Sequence, residues 1–275
     1  MKPSRFRPVL GTALLAIAFC TSCDHDKDDD SGPTSIKKWE VTMKAQYEVP
    51  APAGRMEEGE ATIELFSDNS LTYDFHIHNL APSDQLTNAH IHVGDPATSG
   101  PVLIPFNPTF TGPGSTGRVT NLRQGQIDTL LAGPVYVNVH STQVGAGIVR
   151  AQLDKTNDFA IDVTLNGDNE RPDPVSTTAT GQAILRLMTD KTLYSKITVN
   201  NIETDDTLTV AHVHRGDVNT AGPVRITLCS NKDDFGTVKS QTLLDSLVNI
   251  LKNDPCYVNA HSKLHGPGIV RGQIR

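Results

Sequence analysis

The chain contains two copies of one sequence unit, and this internal repeat restricts its fold more than any other feature. Segments of the first half recur 121 or 122 residues further along, and a nearly constant offset indicates a tandem duplication. The paired segments are Ala89–His92 with Ala211–His214, Gly100–Val102 with Gly222–Val224, Tyr136–His140 with Tyr257–His261, and Gly147–Gln152 with Gly268–Gln273. The repeat predicts two similar domains, at residues 37–154 and 158–275.

Each unit is predicted to consist of short β-strands. Thr62–Phe66 and Leu71–Ile77 nearly alternate apolar and polar residues around a turn, which is typical of a hairpin, and the second unit repeats the pattern. Units of roughly 115 residues with short strands and Gly- or Pro-rich turns favour an antiparallel sandwich or barrel. The best candidate helix is Ser240–Lys252, where apolar residues share one face. We therefore expect an all-β chain with long loops and little helix.

The N-terminus has the parts of an export signal. In residues 1–22, basic residues precede an apolar run, Val9–Phe19, that is too short to span a membrane as a helix. The following Thr21-Ser22-Cys23 resembles a bacterial lipobox, which implies that Cys23 is lipidated and becomes the first mature residue. The alternative is an ordinary secretory signal with incidental cysteines.

Residues 23–36 are predicted to form an acidic tether. Asp24–Pro33 is almost entirely charged or turn-forming, so it cannot bury a core of its own. Acidic residues after a lipidated cysteine resemble the surface-export signal of Bacteroidetes lipoproteins, and a plain spacer is the alternative. We expect an outer-membrane lipoprotein of the bacterial envelope that contacts the membrane through Cys23, with either periplasmic or surface exposure.

Composition and motifs exclude several partners and reactions. The 24 Lys and Arg residues are outnumbered by 31 Asp and Glu, and the net charge of −7 argues against nucleic-acid binding. The sequence has no P-loop, and we expect no nucleotide site. It also has no GxSxG nucleophile motif. The expected partner is an unidentified envelope or extracellular protein.

Histidines recur on two strands of each unit. Alternate side chains of a strand share a face, so His90 and His92 point the same way, and His140 lies opposite the apolar face of its own strand. If these strands are neighbours, the three imidazoles converge, and such a set suits Zn(II) or Cu(II). The second unit carries the equivalent set, which is His212, His214 and His261.

Other polar residues recur with these histidines. Glu48 and its counterpart Glu170 can supply a carboxylate ligand or a hydrogen bond to a ligand. The remaining recurring polar residues are Asn138, Arg150, Asn259 and Arg271. Together with the imidazoles they suit a second interpretation, a hydrogen-bond network that fixes a long loop on a sheet without any metal. His76, His78 and His265 lack matching partners, and we expect them to face solvent.

Two cysteines remain after the signal segment. Cys229 and Cys256 both lie in the second unit of a chain that we expect in an oxidising compartment, which favours a disulfide. The bridge would join the long loop and the candidate helix to the strand at Tyr257. The alternative, a redox-active pair, lacks a CxxC motif.

The recurring segments resemble the CHRD domain, a family named after chordin and common in secreted bacterial proteins. The matching residues are Glu48 with Pro50, the Ala-His-Ile-His segment 89–92, the Tyr-Val-Asn-Val-His segment 136–140, and the closing Gly-x-x-x-Arg-x-Gln. Both copies match along nearly their whole length. The resemblance implies two tandem domains but no particular ligand.

A more distant similarity concerns the Cu/Zn superoxide dismutase family. His90-Ile91-His92, followed by Gly94-Asp95 and Gly100-Pro101, resembles that family's copper-binding stretch, and Val137–His140 its later copper-ligand strand. The similarity implies a Greek-key β-sandwich and places Arg150 near the family's anion-guiding arginine. Val102 stands where the bridging histidine is expected, and no further zinc-ligand set is present.

These observations predict a lipid-anchored, non-catalytic binding or assembly module of the cell envelope. The alternative is a metal-binding protein, or a redox enzyme of superoxide-dismutase type, with copper or zinc at the three histidines of each unit.

Overall fold

The computed structural model describes residues 32–275, and Pro33–Arg275 form one compact unit. The predicted signal segment, the lipidation site Cys23 and most of the tether lie outside the described residues. The first repeat consists of β1 Ser35–Lys44, β2 Glu58–Phe66, β3 Leu71–His78, β4 Leu86–Val93, β5 Val102–Pro105, β6 Gly114–Val119, α1 Gln124–Ala132, β7 Val135–Ser141 and β8 Val149–Gln152.

The second repeat has the same succession of strands with one helix at the corresponding place. Its elements are β9 Asn157–Asn166, β10 Thr180–Met188, β11 Thr192–Asn200, β12 Leu208–Arg215, β13 Val224–Cys229, β14 Val238–Thr242, α2 Asp245–Asn253, β15 Cys256–Ser262 and β16 Val270–Gln273. The hairpins predicted from alternation are β2–β3 and β10–β11, and both are confirmed.

Each repeat is one eight-stranded antiparallel sheet that curls over its core. The strand orders are β5-β4-β7-β8-β1-β2-β3-β6 and β13-β12-β15-β16-β9-β10-β11-β14. At the centre of each sheet, two neighbouring strands are joined by a single residue pair. This pair is Lys44 with Arg150 in the first sheet and Arg271 with Asn166 in the second. Each sheet can therefore bend into two halves that face one another. The predicted all-β class with two tandem domains is confirmed.

Period-two alternation decides which side chains fill the core. On β3, Leu71, Tyr73, Phe75 and Ile77 are buried, while the residues between them are exposed or half-buried. Strand β7 is different, because nearly all of its residues are buried. Its valines face the core, so its polar side chains are covered by other parts of the chain. That second, polar face of β7 carries the candidate site.

The predicted helix Ser240–Lys252 is only partly correct. Residues Val238–Thr242 form strand β14, paired with β11, and the helix α2 begins at Asp245. The apolar spacing alone did not reveal that the first part of the segment completes the edge of a sheet. Helix α1 was not predicted. Within residues 32–275, no helix has the length and apolar character needed to cross a membrane.

The predicted disulfide is wrong, because Cys229 and Cys256 are both buried free thiols. The two residues lie on strands that flank β12 on opposite sides, where Cys229 pairs with Ala211 and Cys256 with Arg215. Two strand spacings separate them by roughly 10 Å across the sheet, and four residues by about 13 Å along it. A disulfide requires Cα atoms within about 7 Å. The thiol of Cys256 instead donates to the carbonyl oxygens of Ile250 and Asp254.

The two repeats are in direct contact through β10. Ile184–Met188 are buried on both faces of this strand, although only one face can look into the core of the second repeat. The other face holds Arg186, whose side chain reaches Glu48 of the first repeat. A further inter-repeat hydrogen bond runs from the amide of Ala51 to Asp162 Oδ2, over 2.8 Å.

Candidate metal centres

Neighbouring strands bring three imidazoles together in the first repeat. Strands β4 and β7 are paired, with His90 opposite Asn138 and His140 opposite Asn88. The alternation of β4 places His92 on the same face as His90. Each of the three histidines offers one ring nitrogen, and these nitrogens lie within 4.8 Å of one another. The structure thus brings together the three residues that the sequence suggested.

Backbone carbonyls fix the tautomers of two of the rings. His92 Nδ1 lies 2.9 Å from the carbonyl oxygen of Gly100, and His140 Nδ1 lies 3.0 Å from that of Gly145. A carbonyl oxygen only accepts hydrogen bonds, so both Nδ1 atoms carry the proton and both Nε2 atoms carry a lone pair. A hydrogen bond of this kind is the usual support of a metal-ligating histidine.

The third ring, His90, contacts His140 through its Nδ1 atom. His90 Nδ1 lies 3.0 Å from His140 Nε2. When Nδ1 of His90 is protonated it donates to His140, and when it is unprotonated its lone pair faces that of His140 Nε2. The first state is a hydrogen-bond network, and the second suits a metal ion.

His92 is held in place by a stack of side chains. Its ring lies parallel to that of Tyr136, with centroids 4.9 Å apart, and the guanidinium of Arg150 covers the other face of Tyr136 at 3.4 Å. His92 is 8% exposed, and its Nε2 has no hydrogen-bond partner. A buried nitrogen without a partner costs free energy, so this atom requires an explanation.

The environment keeps the imidazoles neutral. Burial, followed by the neighbouring His140 and His92, lowers the pKa of His90 to about 4. Burial is also the main cause that lowers the pKa values of His92 and His140 below their ordinary value. At neutral pH all three rings are therefore uncharged, which is the form that binds metals.

Glu48 lies behind the cluster and is not one of its converging ligands. A Cβ atom on Gly147 would collide with Glu48 Oε1 and lie 2.7 Å from Asn138 Nδ2, so these groups meet above this glycine, whose φ is +136°. Burial raises the pKa of Glu48 to about 7, against the opposing effect of Arg150. Its side chain packs against that of Asn138, which pairs with His90 and lies two residues before His140.

Arg150 is a buried structural residue in this arrangement. It is 1% exposed and donates to the carbonyl oxygens of Thr98, at 2.9 Å, and Asp95, at 2.7 Å. These bonds tie the loop after β4 to strand β8. The position near an anion-guiding arginine, implied by the dismutase similarity, does not make this side chain available to an anion in solvent.

The second repeat reproduces the site closely. His214 Nδ1 and His261 Nδ1 lie 2.8 Å from the carbonyl oxygens of Gly222 and Gly266, respectively. His212 Nδ1 lies 3.3 Å from His261 Nε2, and burial lowers the pKa of His212 to about 4. The supporting residues also recur. The Arg271 guanidinium lies 3.4 Å from the centre of the Tyr257 ring, and Glu170 and Asn259 meet above Gly268. His214 Nε2 is buried without a partner, as His92 Nε2 is.

Some contributors were missed by the sequence reasoning. The carbonyl groups of Gly100 and Gly145 carry no side-chain signal, although both glycines recur in the second copy. Tyr136 and Tyr257 recur as well, and this recurrence was the available signal for the stack. His76 and His78 are exposed, as predicted. The prediction that His265 faces solvent is wrong, because it is half-buried beside Glu203 and Asp206.

Comparison with known families agrees with this duplicated architecture. A family model described as the CHRD domain matches residues 39–153 and again residues 161–274. The chain belongs to the CHRD family. Each CHRD domain contains one complete eight-stranded sheet and one three-histidine cluster. No match was found among curated proteins or among solved structures. The similarity to Cu/Zn superoxide dismutase therefore stays a prediction from the motif.

Proposed function

We propose that this chain is a non-catalytic binding module of the bacterial envelope, attached by a lipid on Cys23, and that each CHRD domain binds one copper or zinc ion. The observation that carries metal binding is the buried Nε2 of His92, repeated at His214, which has no hydrogen-bond partner. The polar group nearest to this nitrogen is the Asn138 side chain, with Asn259 in the second domain, and its geometry in this structure falls short of a hydrogen bond. A metal ion between the three rings satisfies it.

The donor set fits such an ion. Two rings in each domain donate Nδ1–H to a carbonyl oxygen and keep the lone pair on Nε2. In one of the two, His140 or His261, this Nε2 lies beside Nδ1 of the third ring. Neutral imidazole donors suit Cu(II) and Zn(II) better than the hard cations Mg²⁺ and Ca²⁺. A bound copper or zinc ion would supply a Lewis acid, and copper also one-electron chemistry. The chain itself supplies orientation, through the stack of Arg150 on Tyr136 on His92.

The surroundings of the cluster favour binding over superoxide turnover. Fast turnover of an anion benefits from exposed positive charge that steers it into the site. The arginine nearest the cluster in the motif, Arg150, is buried and bound to two backbone carbonyls. Its positive charge therefore stabilises the loop after β4 and is not exposed to solvent.

The metal content of the purified protein tests the proposal. Residues 33–275, which form one compact unit, are loaded with copper or zinc, desalted and measured by mass spectrometry. We expect close to two ions at the histidine clusters of each chain, both lost in His140→Ala/His261→Ala and both retained in the exposed-histidine control His76→Ala/His78→Ala. Equal metal content in the wild type and the His140→Ala/His261→Ala variant would refute the proposal and make the clusters hydrogen-bond networks.

A superoxide assay of the copper-loaded protein separates binding from catalysis. We expect no turnover above that of free buffer, although the two ions are bound. Turnover that disappears in His140→Ala/His261→Ala would overturn the non-catalytic part of the proposal and favour the enzyme.

The anchor has its own test. In a bacterial host, we expect Cys23→Ala to release the chain from the membrane fraction, and globomycin to block its processing. Unchanged processing and membrane association in both experiments would mean that Cys23 is not lipidated.

A further inference from the structure

A second type of ligand cluster lies in the second repeat alone. Glu203, Asp206 and His265 each offer one ligand atom, and these atoms lie within 4.8 Å of one another. Asp206 is 7% exposed, and its Oδ2 has no hydrogen-bond partner. Glu203 Oε2 is likewise buried without a partner. The Ser262 hydroxyl is the donor nearest to Asp206, and two buried carboxylate oxygens near an imidazole suit a cation.

The first repeat shows what occupies this place when the same backbone carries other side chains. Asp84, the counterpart of Asp206, accepts hydrogen bonds at Oδ1 from Gln85 N at 2.9 Å and Gln143 N at 3.0 Å. Asp206 Oδ1 accepts the equivalent bonds from Thr207 N at 2.7 Å and Leu264 N at 3.0 Å. The two carboxylates are therefore held in the same way by the main chain.

The two aspartates differ in the groups that surround their second carboxylate oxygen, Oδ2. Asp84 Oδ2 is 2.5 Å from Arg55 Nη2, and the same guanidinium nitrogen is 2.8 Å from Glu57 Oε1. Asp84 Oδ2 also accepts from the Ser141 hydroxyl at 2.8 Å. A positive charge thus neutralises this position in the first repeat.

The second repeat has no arginine at this position, and it has two possible metal ligands where the first repeat has apolar residues. The counterpart of Arg55 is Thr177, whose hydroxyl donates to Glu203 Oε1 over 3.0 Å. Where the first repeat has Ala81 and Val144, the second has Glu203 and His265. In the second repeat, the Arg55–Glu57 pair is thus replaced by Thr177 and Ala179, and an imidazole and a carboxylate stand at two other positions around the shared aspartate.

The three groups lie farther apart than the partners of an ion pair. Among the ion pairs of residues 32–275, none involves Glu203 or Asp206, so His265 lies more than 4.0 Å from their carboxylate oxygens, and within 4.8 Å of one ligand atom of each. Donor atoms around a tetrahedral ion, with bonds of about 2.0–2.2 Å, lie about 3.3–3.6 Å apart. The side chains would therefore have to close on the ion by about 1 Å to complete the coordination.

The donor set consists of two carboxylates and one imidazole. Carboxylates suit Mn²⁺, and a mixed set of carboxylate and imidazole also suits Zn²⁺.

We propose that Glu203, Asp206 and His265 bind one divalent metal ion of the manganese or zinc type, in the second repeat only, at the place that the Arg55 guanidinium occupies in the first. This site is separate from the three-histidine clusters and does not depend on them.

Manganese is the probe, because three neutral imidazoles bind it weakly compared with copper or zinc. The purified full chain is titrated with Mn²⁺, and electron paramagnetic resonance counts the ion that stays free. The decisive variant is Thr177→Arg/Glu203→Ala/His265→Val, which installs the first-repeat residues at these three positions and restores the positive charge beside Asp206, while Ala179 stays in the place of Glu57. Asp206→Asn is the second variant. The control for the histidine clusters is His90→Ala/His212→Ala, because His261 also binds the carbonyl oxygen of Gly266, next to His265.

We expect the wild type and His90→Ala/His212→Ala to bind one more Mn²⁺ per chain than the two site variants. Weak binding by the acidic segment 24–30 is the same in every protein and cancels in this difference. Equal binding by the wild type and Thr177→Arg/Glu203→Ala/His265→Val would overturn the proposal. Loss of the extra ion in His90→Ala/His212→Ala would also overturn it, because the ion would then belong to the histidine clusters.

Discussion

Arg186 of the second repeat donates a hydrogen bond of 2.5 Å from Nη2 to the backbone carbonyl oxygen of Glu48 in the first. The side chain of Arg186 is fully buried, and its Nη1 lies 2.7 Å from Asp162 Oδ1. The residue therefore joins the two repeats at Glu48, whose side chain lies beside Asn138 of the first candidate metal centre. Its counterpart in the first repeat is Glu64, so the contact exists once in the duplicated chain.

Replacing Arg186 should weaken the whole compact unit. Arg186→Met leaves the Asp162 carboxylate, which is 12% exposed, without its partner, and removing one member of a buried pair costs about 3–5 kcal/mol. Urea denaturation measures the free energy of unfolding. The control is Arg118→Met, because Arg118 and its partner Asp68 are about half exposed and such pairs contribute about 0–1 kcal/mol. Equal losses in both variants would contradict the role of Arg186.

Glu48 should make stability depend on pH. Its pKa is about 7 in the folded chain because of burial, against 4.5 as the ordinary value. The folded state therefore holds a proton that the unfolded state releases between these values. The resulting stability is complete below pH 4.5 and is lost as the pH rises through 7.

Glu48→Gln removes this dependence. We expect the free energy of unfolding of the wild type, minus that of Glu48→Gln, to fall by about 3 kcal/mol between pH 4.5 and pH 8. Urea denaturation of the metal-free protein at several pH values measures it. The control is Glu58→Gln, whose side chain is 48% exposed, and a flat difference for Glu48→Gln would disprove the raised pKa.

Gly147 should not tolerate a side chain. A Cβ atom there would lie 2.7 Å from Asn138 Nδ2, and the φ of +136° is strained for any other residue. We expect Gly147→Ala to lose about 1–3 kcal/mol of stability. Gly145→Ala is the matched control in the same loop, because its Cβ would meet open space. Thermal unfolding compares the two, and equal melting temperatures would contradict the described packing.

The thiols of Cys229 and Cys256 should stay reduced and unreactive in the folded chain. Burial raises their pKa values to about 12 and about 11, so the reactive thiolate is scarce at neutral pH. In residues 33–275 we expect two thiols to react with iodoacetamide in denaturant and neither in native buffer. A reductant should leave the melting temperature unchanged, and a drop of several degrees would indicate a disulfide after all.

Local patterns predicted much of the architecture and of the first candidate site. The duplication follows from a constant offset, and strand alternation places His90 and His92 on one face. The same alternation separates His140 from the core valines of β7. These features depend only on residues close in sequence, or on direct comparison of the two copies, so the sequence contains them explicitly.

Failures of the sequence reasoning concern contacts across the sheets. The compartment and the count of cysteines favoured a disulfide, but the register of β13, β12 and β15 separates the two thiols. The dismutase similarity suggested an arginine that guides anions, whereas the curvature of the sheet buries Arg150 under Tyr136.

The sequence by itself determined the two-fold repeat, the β-strands and the identity of the recurring imidazoles. Only the tertiary structure decided which side chains meet between distant segments, because strand register and sheet closure select those contacts. Arg186 meets Glu48 for this reason, and Glu203, Asp206 and His265 meet although 62 residues separate the first from the last. For Arg186 the physical determinant is burial, because a charge that the fold removes from water needs a partner, and the fold decides which one it meets.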